Sequence, residues 1–225
     1  MLVSTQRCHQ FNHPEFVVEV DESRVPEEQI KRFMKDLEGM VAEGSVFEPR
    51  QTFKIGWMIT EVQRFEGSRL TLLEPDMESL PIQLVPGITE TLHQQIMQVF
   101  FIDSLAIPRQ DMEIPDVRQS AMVCSRYRET NGLFLARSEP YKKTDSGWFL
   151  GCLDDDHDHE EVENLEVVSL YEAFLNRNEI HLWAAFPRGS LIALEEGLEP
   201  RISRDDTPLD IVPGSFLDQM IARWR

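Results

Sequence analysis

The sequence predicts an α+β fold, arranged as two small domains that each carry a mainly antiparallel sheet flanked by helices. Three observations lead there. Runs that alternate with period two and runs with a 3.6-residue apolar period follow one another along the 225 residues, separated by short turn-forming clusters. Hydrophobic residues make up 41% of the chain and charged residues 28%, so a packed core is expected rather than disorder. Between residues 106 and 117, Pro108, Pro115 and mixed charges interrupt every periodicity, which marks a connector. The expected domains are residues 1–107 and 117–225.

Residues 16–20, Phe-Val-Val-Glu-Val, are aromatic and β-branched and predict a strand. Ser23 and Pro26 open a helix whose apolar positions are Ile30, Phe33, Met34, Leu37, Met40 and Val41, with Gly44 as its stop. That stripe is a core face. Residues 52–63 turn extended, with Phe53, Ile55, Trp57, Ile59 and Glu61 on one side. Glu66-Gly67-Ser68 then makes a turn into a partner strand over 69–74, giving a hairpin with Trp57 packed on one face. Pro75, Pro81 and Pro86 keep the chain extended or irregular. Residues 89–105 predict a helix that buries Leu92, Ile96, Val99 and Phe100.

The second half opens with a strand at 121–125. The Asn131-Gly132 dipeptide predicts a hairpin to a return strand over 133–136. A polar loop follows, then a strand through Trp148, an acidic block, and a short apolar run at 165–168. Ser169 and Glu172 have the spacing of a capping box, which opens a helix through Tyr171, Phe174 and Leu175. Residues 178–183 form another short element, and 190–195 an alternating strand. Phe216, Leu217, Met220, Ile221 and Trp224 mark a terminal amphipathic helix.

Charge narrows the function classes. The formal net charge is -18, which attracts basic partners and repels polyphosphate, so direct nucleic-acid binding is not expected. Cys8, Cys124 and Cys152 are few and widely spaced, which argues against a disulfide framework. Neither a signal-peptide core nor a run long enough for a membrane span is present, so a reduced cytoplasmic protein with no membrane contact is expected.

Negative charge concentrates after the Trp148 strand. Residues 154–166 hold four aspartates and four glutamates and no lysine or arginine. A rigid strand ending in such a block is the best candidate for a partner surface, with contacts at Asp154, Asp155, Asp156, Asp158, Glu160 and Glu161. Trp148 is added as an anchor if it proves exposed, because aromatic residues dominate interface hot spots. The simpler alternatives are a solvated loop for the acids, and core positions for Trp148 and Trp183. No dedicated metal site and no cofactor are expected. The acids run consecutively without the central glycine of a calcium loop. His157 and His159 would point to opposite sides of an extended chain, with no other close His or Cys ligand pair. Catalytic readings are weaker still. Cys124 and Cys152 read as packing, Ser146 is not in a G-x-S-x-G elbow, and no phosphate-binding glycine loop occurs. His93 and His181 read as structural or exposed.

In the second half the order of short motifs is a Met-Val-Cys-Ser strand, Asn-Gly-Leu-Phe, Asp145-Ser146-Gly147-Trp148-Phe149, an acid-rich insert, a helix, and Pro187-Arg188-Gly189-Ser190-Leu191-Ile192-Ala193. Over about residues 120–196 this order resembles the immunity protein 33 family of small bacterial domains. The first half, with Gly56-Trp57-Met58 and Glu74-Pro75-Asp76-Met77, looks like a leader domain found before such domains. The resemblance implies protection: a non-enzymatic, acidic immunity protein that binds a cognate toxin and occludes it, the toxin being basic and a nuclease the best-suited case. The sequence leaves room for a homodimer. The runner-up readings are an adaptor or regulatory module whose first domain carries the contact, and then a hydrolase, which needs a cleft holding His93 or His181 beside an acid.

Overall fold

The computed structural model describes residues 1–224, and of Trp224 the backbone alone. It shows an α+β protein that divides into two compact units, Met1–Ile96 and Met97–Arg225.

In the first unit, β1 (Leu2–Ser4) and β2 (Val17–Glu19) pair antiparallel, Val3 opposite Val18. Helix α1 (Glu27–Ala42) starts after Pro26 rather than at Ser23, whose hydroxyl donates to Asp21 instead. Of the six residues the 3.6-residue spacing selects, Ile30, Phe33, Met34, Leu37 and Val41 are buried and Met40 is half-buried, and Gly44 follows at φ 98°. Strands β3 (Thr52–Ile55), β4 (Met58–Arg64), β5 (Leu70–Pro75) and β6 (Leu84–Pro86) form an antiparallel meander. The expected β4–β5 hairpin is present, with Arg64 opposite Leu70. Residues 52–63 are not one extended run, however. The chain folds back at Gly56-Trp57, placing Ile55 opposite Met58. Trp57 therefore sits in the turn, fully buried, with its indole N–H donating to Gln94 at 2.7 Å.

Helix α2 (Thr89–Asp103) begins where the buried Glu74 carboxylate accepts the backbone N–H groups of Glu90 and Thr91, at 3.0 and 2.7 Å. A side chain from β5 thus caps the helix in place of a local residue. Phe100, expected inside, is 39% exposed. Leu92 is buried as expected and Ile96 and Val99 are half-buried, while Thr91, Gln94, Gln98, Phe101 and Ile102 are buried as well. Gln94 tolerates burial because it is bonded to Trp57 and Glu90. The Gln98 amide nitrogen donates to the His181 carbonyl, while its side-chain oxygen is buried without a partner among the described residues. The division between units falls inside α2, and the segment after it packs within the second unit: Leu105, Ile107 and Val117 are buried, and the Glu113 N–H donates to the Ala185 carbonyl.

The second unit contains β7 (Ser120–Cys124), β8 (Gly132–Arg137), β9 (Asp145–Cys152), β10 (Leu165–Ser169), α3 (Leu170–Asn176), α4 (Ile180–Trp183), β11 (Ser190–Glu195), β12 (Arg201–Arg204), β13 (Thr207–Pro208) and α5 (Phe216–Trp224). One sheet runs β10-β7-β9-β8-β11-β12-β13. All neighbours are antiparallel except β7 and β9, which are parallel. The Asn131-Gly132 hairpin is therefore a correction: β7 and β8 are not neighbours, and β9 lies between them. The reason is burial. Strand β9 is buried at Ser146, Gly147, Trp148, Leu150, Gly151 and Cys152, on both of its faces, which suits a position between two neighbours rather than at an edge. The connection from β7 to β8 is held as a loop by Arg177, which donates to the Tyr127 and Thr130 carbonyls, each at 2.9 Å.

The Asp145-Ser146-Gly147-Trp148 motif has a structural explanation. Gly147 stands at φ 75°, and a Cβ there would lie 2.2 Å from the Ser138 carbonyl oxygen, so no other residue fits. Asp145 accepts the Gly147 N–H at 3.0 Å, and Ser146 donates to the Ser120 carbonyl at 2.8 Å, locking the irregular register between β7 and β9. The predicted capping box on α3 is present, the Ser169 hydroxyl accepting the Glu172 N–H at 3.0 Å. In α5, Leu217 and Ile221 are buried; the Trp224 side chain of the predicted stripe lies outside the described residues.

Candidate functional site at the ends of the parallel strands

Because β7 and β9 are parallel, with Val123 opposite Leu150, their C-terminal ends lie at the same end of the sheet. Cys124 closes β7 and Cys152 closes β9. The acidic loop leaves from Cys152 and returns to the sheet at Leu165, which pairs with Cys124. Both ends of the loop are thus anchored to the same pair of residues.

Within the loop, local hydrogen bonds set the path. The His157 N–H donates to the Asp154 carbonyl, making a turn rather than an extended run. Asp158 accepts the Glu160 N–H at 2.8 Å, and its carbonyl accepts from the Asn164 side chain at 2.7 Å. Asn164 in turn accepts the Ser125 N–H through its carbonyl at 2.8 Å.

Of the six carboxylates expected at a partner surface, two are engaged. Arg126, from the loop after β7, lies 2.6 Å from Asp156 and 3.6 Å from Asp154. The pairing with Arg126 first, by hydrogen bond and then by charge, holds the Asp156 carboxyl below its ordinary range. Asp155, Asp158, Glu160 and Glu161 are exposed with no ion pair among the described residues, and Glu163 joins them. Glu166 is paired with Arg128 at 3.2 Å. The acidic block therefore carries less net field than the sequence alone suggests, because Arg126 and Arg128 are brought to it from elsewhere in the chain.

Trp148 does not belong to this surface. It is 3% exposed, donates its indole N–H to the Ala184 carbonyl at 3.2 Å, and lies under the Arg137 guanidinium, 5.4 Å from the ring centroid. Its place in the central strand turns it inward. Large exposed apolar side chains do stand by the loop: Val162 within it at 80% exposure, and Val167 at 71% on β10, whose register partner on β7 is Met122 at 44%.

The expectation that no second His or Cys pair stands near His157 and His159 fails. One donor atom from each of Cys124, Cys152, His157 and His159 lies within 4.8 Å of every other. The Cys152 sulfur is 3.6 Å from His159 Nε2, and the Cys152 N–H donates to the Cys124 sulfur at 3.2 Å. The two imidazoles stand edge to face with centroids 5.0 Å apart. Nε2 of His157 is buried without a hydrogen-bond partner among the described residues. Gly151 makes room for the arrangement, since a Cβ there would meet Phe149 at 2.9 Å and His159 Nε2 at 3.2 Å. Burial pushes the Cys152 thiol up to about 11, and burial followed by the charge of His157 lowers His159. Both effects favour neutral side chains. The loop turn at Asp154–His157 is what sequence reasoning missed: it brings both imidazoles inward, where an extended chain would have splayed them. The signal available was the spacing of one cysteine and two histidines at 152, 157 and 159.

A separate cleft of about 590 Å³ in the same unit is lined by Phe101, Arg177, Trp183, Leu194, Pro200 and Ile221 among others. Its arginine is committed to Glu179 and to two backbone carbonyls. Neither His93 nor His181 lines it. His93 faces the Arg24 carbonyl at 3.2 Å, and His181 packs edge-on against Phe174. No helix among the described residues is long and apolar enough to cross a membrane. Comparison of the chain with protein-family models, curated proteins and solved structures finds no significant match to any of them.

Proposed function

We propose that this chain is a protein-binding module that engages a basic partner through the acidic loop, and that it acts as an immunity protein occluding a cognate toxin. The observation that carries the reading is the surface of the loop: Asp155, Asp158, Glu160, Glu161 and Glu163 are exposed with no ion pair among the described residues, and with them stands Val162 at 80% exposure. Val167 and Met122 extend the apolar part along the edge of the sheet. Exposed apolar side chains together with exposed charge are features of protein-interaction surfaces. The net charge of -18 adds long-range attraction for a basic target and speeds encounter. A nuclease active site, lined with Lys and Arg to hold phosphate, is a target of that kind. The ordered motifs that resemble the immunity protein 33 family support the toxin as the partner.

The test is co-expression. Tagged full-length protein is used to recover partners from the native bacterium, and each basic partner is then expressed with and without the chain. Rescue of growth by the chain supports the reading, and a partner that is harmless when expressed alone sinks it. Reversal of Asp155, Asp158, Glu160 and Glu161 to Lys is expected to weaken binding to the rescued toxin at least tenfold, with much of the loss in association rate at low salt. Unchanged affinity would remove the loop from the interface.

A further inference from the structure

We propose that Cys124, Cys152, His157 and His159 form a closed tetrahedral site for a thiophilic divalent cation of the zinc class, which fastens the acidic loop to the ends of β7 and β9. The site does not depend on the partner-binding reading and stands or falls by its own measurement.

Distances come first. Four donors mutually within 4.8 Å already surround a point that a small cation can occupy. Zinc–sulfur bonds of about 2.3 Å and zinc–nitrogen bonds of about 2.0–2.1 Å place tetrahedral donors roughly 3.3–3.8 Å apart. The Cys152–His159 separation of 3.6 Å is already in that range, and the other donors close the remainder by shifts on the order of 1 Å. The two sulfurs are held by the sheet and the two imidazoles arrive on the loop that joins β9 to β10, outside the hydrogen-bonded ladder.

Donor chemistry selects the ion. Two thiolates and two imidazoles suit zinc and its soft neighbours, whereas calcium and magnesium need the oxygen ligands that here point outward or pair with Arg126. Four protein ligands leave no open position, so the site is structural rather than hydrolytic. The cysteines are 0% and 2% exposed, which shields the bonds from water. The N–H of Cys152 directed at the Cys124 sulfur is a supporting contact that steadies a thiolate. The buried, unpartnered Nε2 of His157 is otherwise an unmet polar atom, and its ring has a metal to bind. Gly151 removes the side chain that would obstruct His159. Arg126, gripping Asp154 and Asp156 just before His157, steadies the turn that presents it. Loading replaces two S–H bonds by two metal–sulfur bonds and releases two protons to solvent. No electron is transferred.

The experiment is a cobalt(II) titration of the full chain, reduced and stripped of metal, followed by zinc. Expected are the thiolate-to-cobalt charge-transfer band and the strong visible bands of tetrahedral cobalt, saturating at one equivalent and bleached by one equivalent of zinc. Cys152→Ser should abolish the charge-transfer intensity of that sulfur. Because the cysteines are core residues, His157→Ala and His159→Ala provide variants that leave the sheet intact, and each should weaken zinc binding by more than about 100-fold. Three results overturn the proposal: a weak octahedral cobalt spectrum, binding unchanged in the double histidine variant, or a reduced chain that takes up no metal and closes a Cys124–Cys152 disulfide in air.

Discussion

Carboxylates in the two units are put to opposite uses. In the first unit, Glu15 and Glu74 are drawn in and surrounded by donors. Glu74 is buried and caps α2, with burial first raising its carboxyl and the N–H groups of Thr91 and Glu90 opposing the rise. Glu15 gathers the Thr5 hydroxyl and the N–H groups of Cys8 and His9, and although burial works the other way these bonds hold it at about 2. In the second unit, the loop carboxylates at 155, 158, 160 and 161 face solvent and hold nothing but their own turn. An acid that organises a backbone is structural; an acid left to solvent is available for a partner. The cysteines differ in the same way. Cys8 lies in the first unit's apolar core beside Thr5 and Glu15, while Cys124 and Cys152 meet two imidazoles.

Substitutions can break this comparison. The largest effect is expected from Glu74→Ala, which orphans two helix N–H groups in the interior and should cost ~3 kcal/mol in urea unfolding. A loss below ~0.5 kcal/mol would mean that α2 does not rely on its cap. Next comes Glu15, read by pH. Its folded value of about 2 lies below the ordinary 4.5, so its contribution is fully present above 4.5 and is lost as pH falls through 2. That contribution is on the order of 2 kcal/mol once partial exposure is allowed for. Glu15→Gln should flatten the acid limb of the stability profile over that window, and an unchanged limb would assign acid sensitivity elsewhere. Asp145→Ala, which frees the Tyr141 and Gly147 N–H groups at the bulge, should cost ~1–2 kcal/mol by the same unfolding measurement. The smallest effect belongs to the loop: Asp155→Asn, Glu160→Gln and Glu161→Gln should each leave stability within ~0.5 kcal/mol. A larger loss from any of them would show that the loop acids, too, hold backbone.

Much of the local structure was legible because its causes are local. The α1 stripe, the β4–β5 turn at Glu66-Gly67-Ser68 and the Ser169–Glu172 cap follow from residues a few positions apart. What was illegible depended on distant partners. The Asn131-Gly132 signal was overruled because β9, later in the chain, had the stronger claim on the sheet centre. Phe100 is exposed while Gln94 and Gln98 are buried, with distant partners at the Trp57 indole and the His181 carbonyl that sequence spacing does not reveal. At the site, the acidic loop and its two histidines were visible in sequence, but Arg126 and Cys124 were not part of that picture.

The sequence by itself determined the α+β class, most helix and strand positions, the strong negative charge and the place where acid accumulates, since composition and short-range periodicity suffice for these. Only the tertiary structure decided which carboxylates are neutralised, that Trp148 is core, and that Cys124 meets Cys152, His157 and His159. The physical reason is strand pairing. The parallel alignment of β7 with β9 depends on the burial of whole strands and on the bulge at Gly147, and it brings together side chains that are 28 residues apart at Cys124 and Cys152.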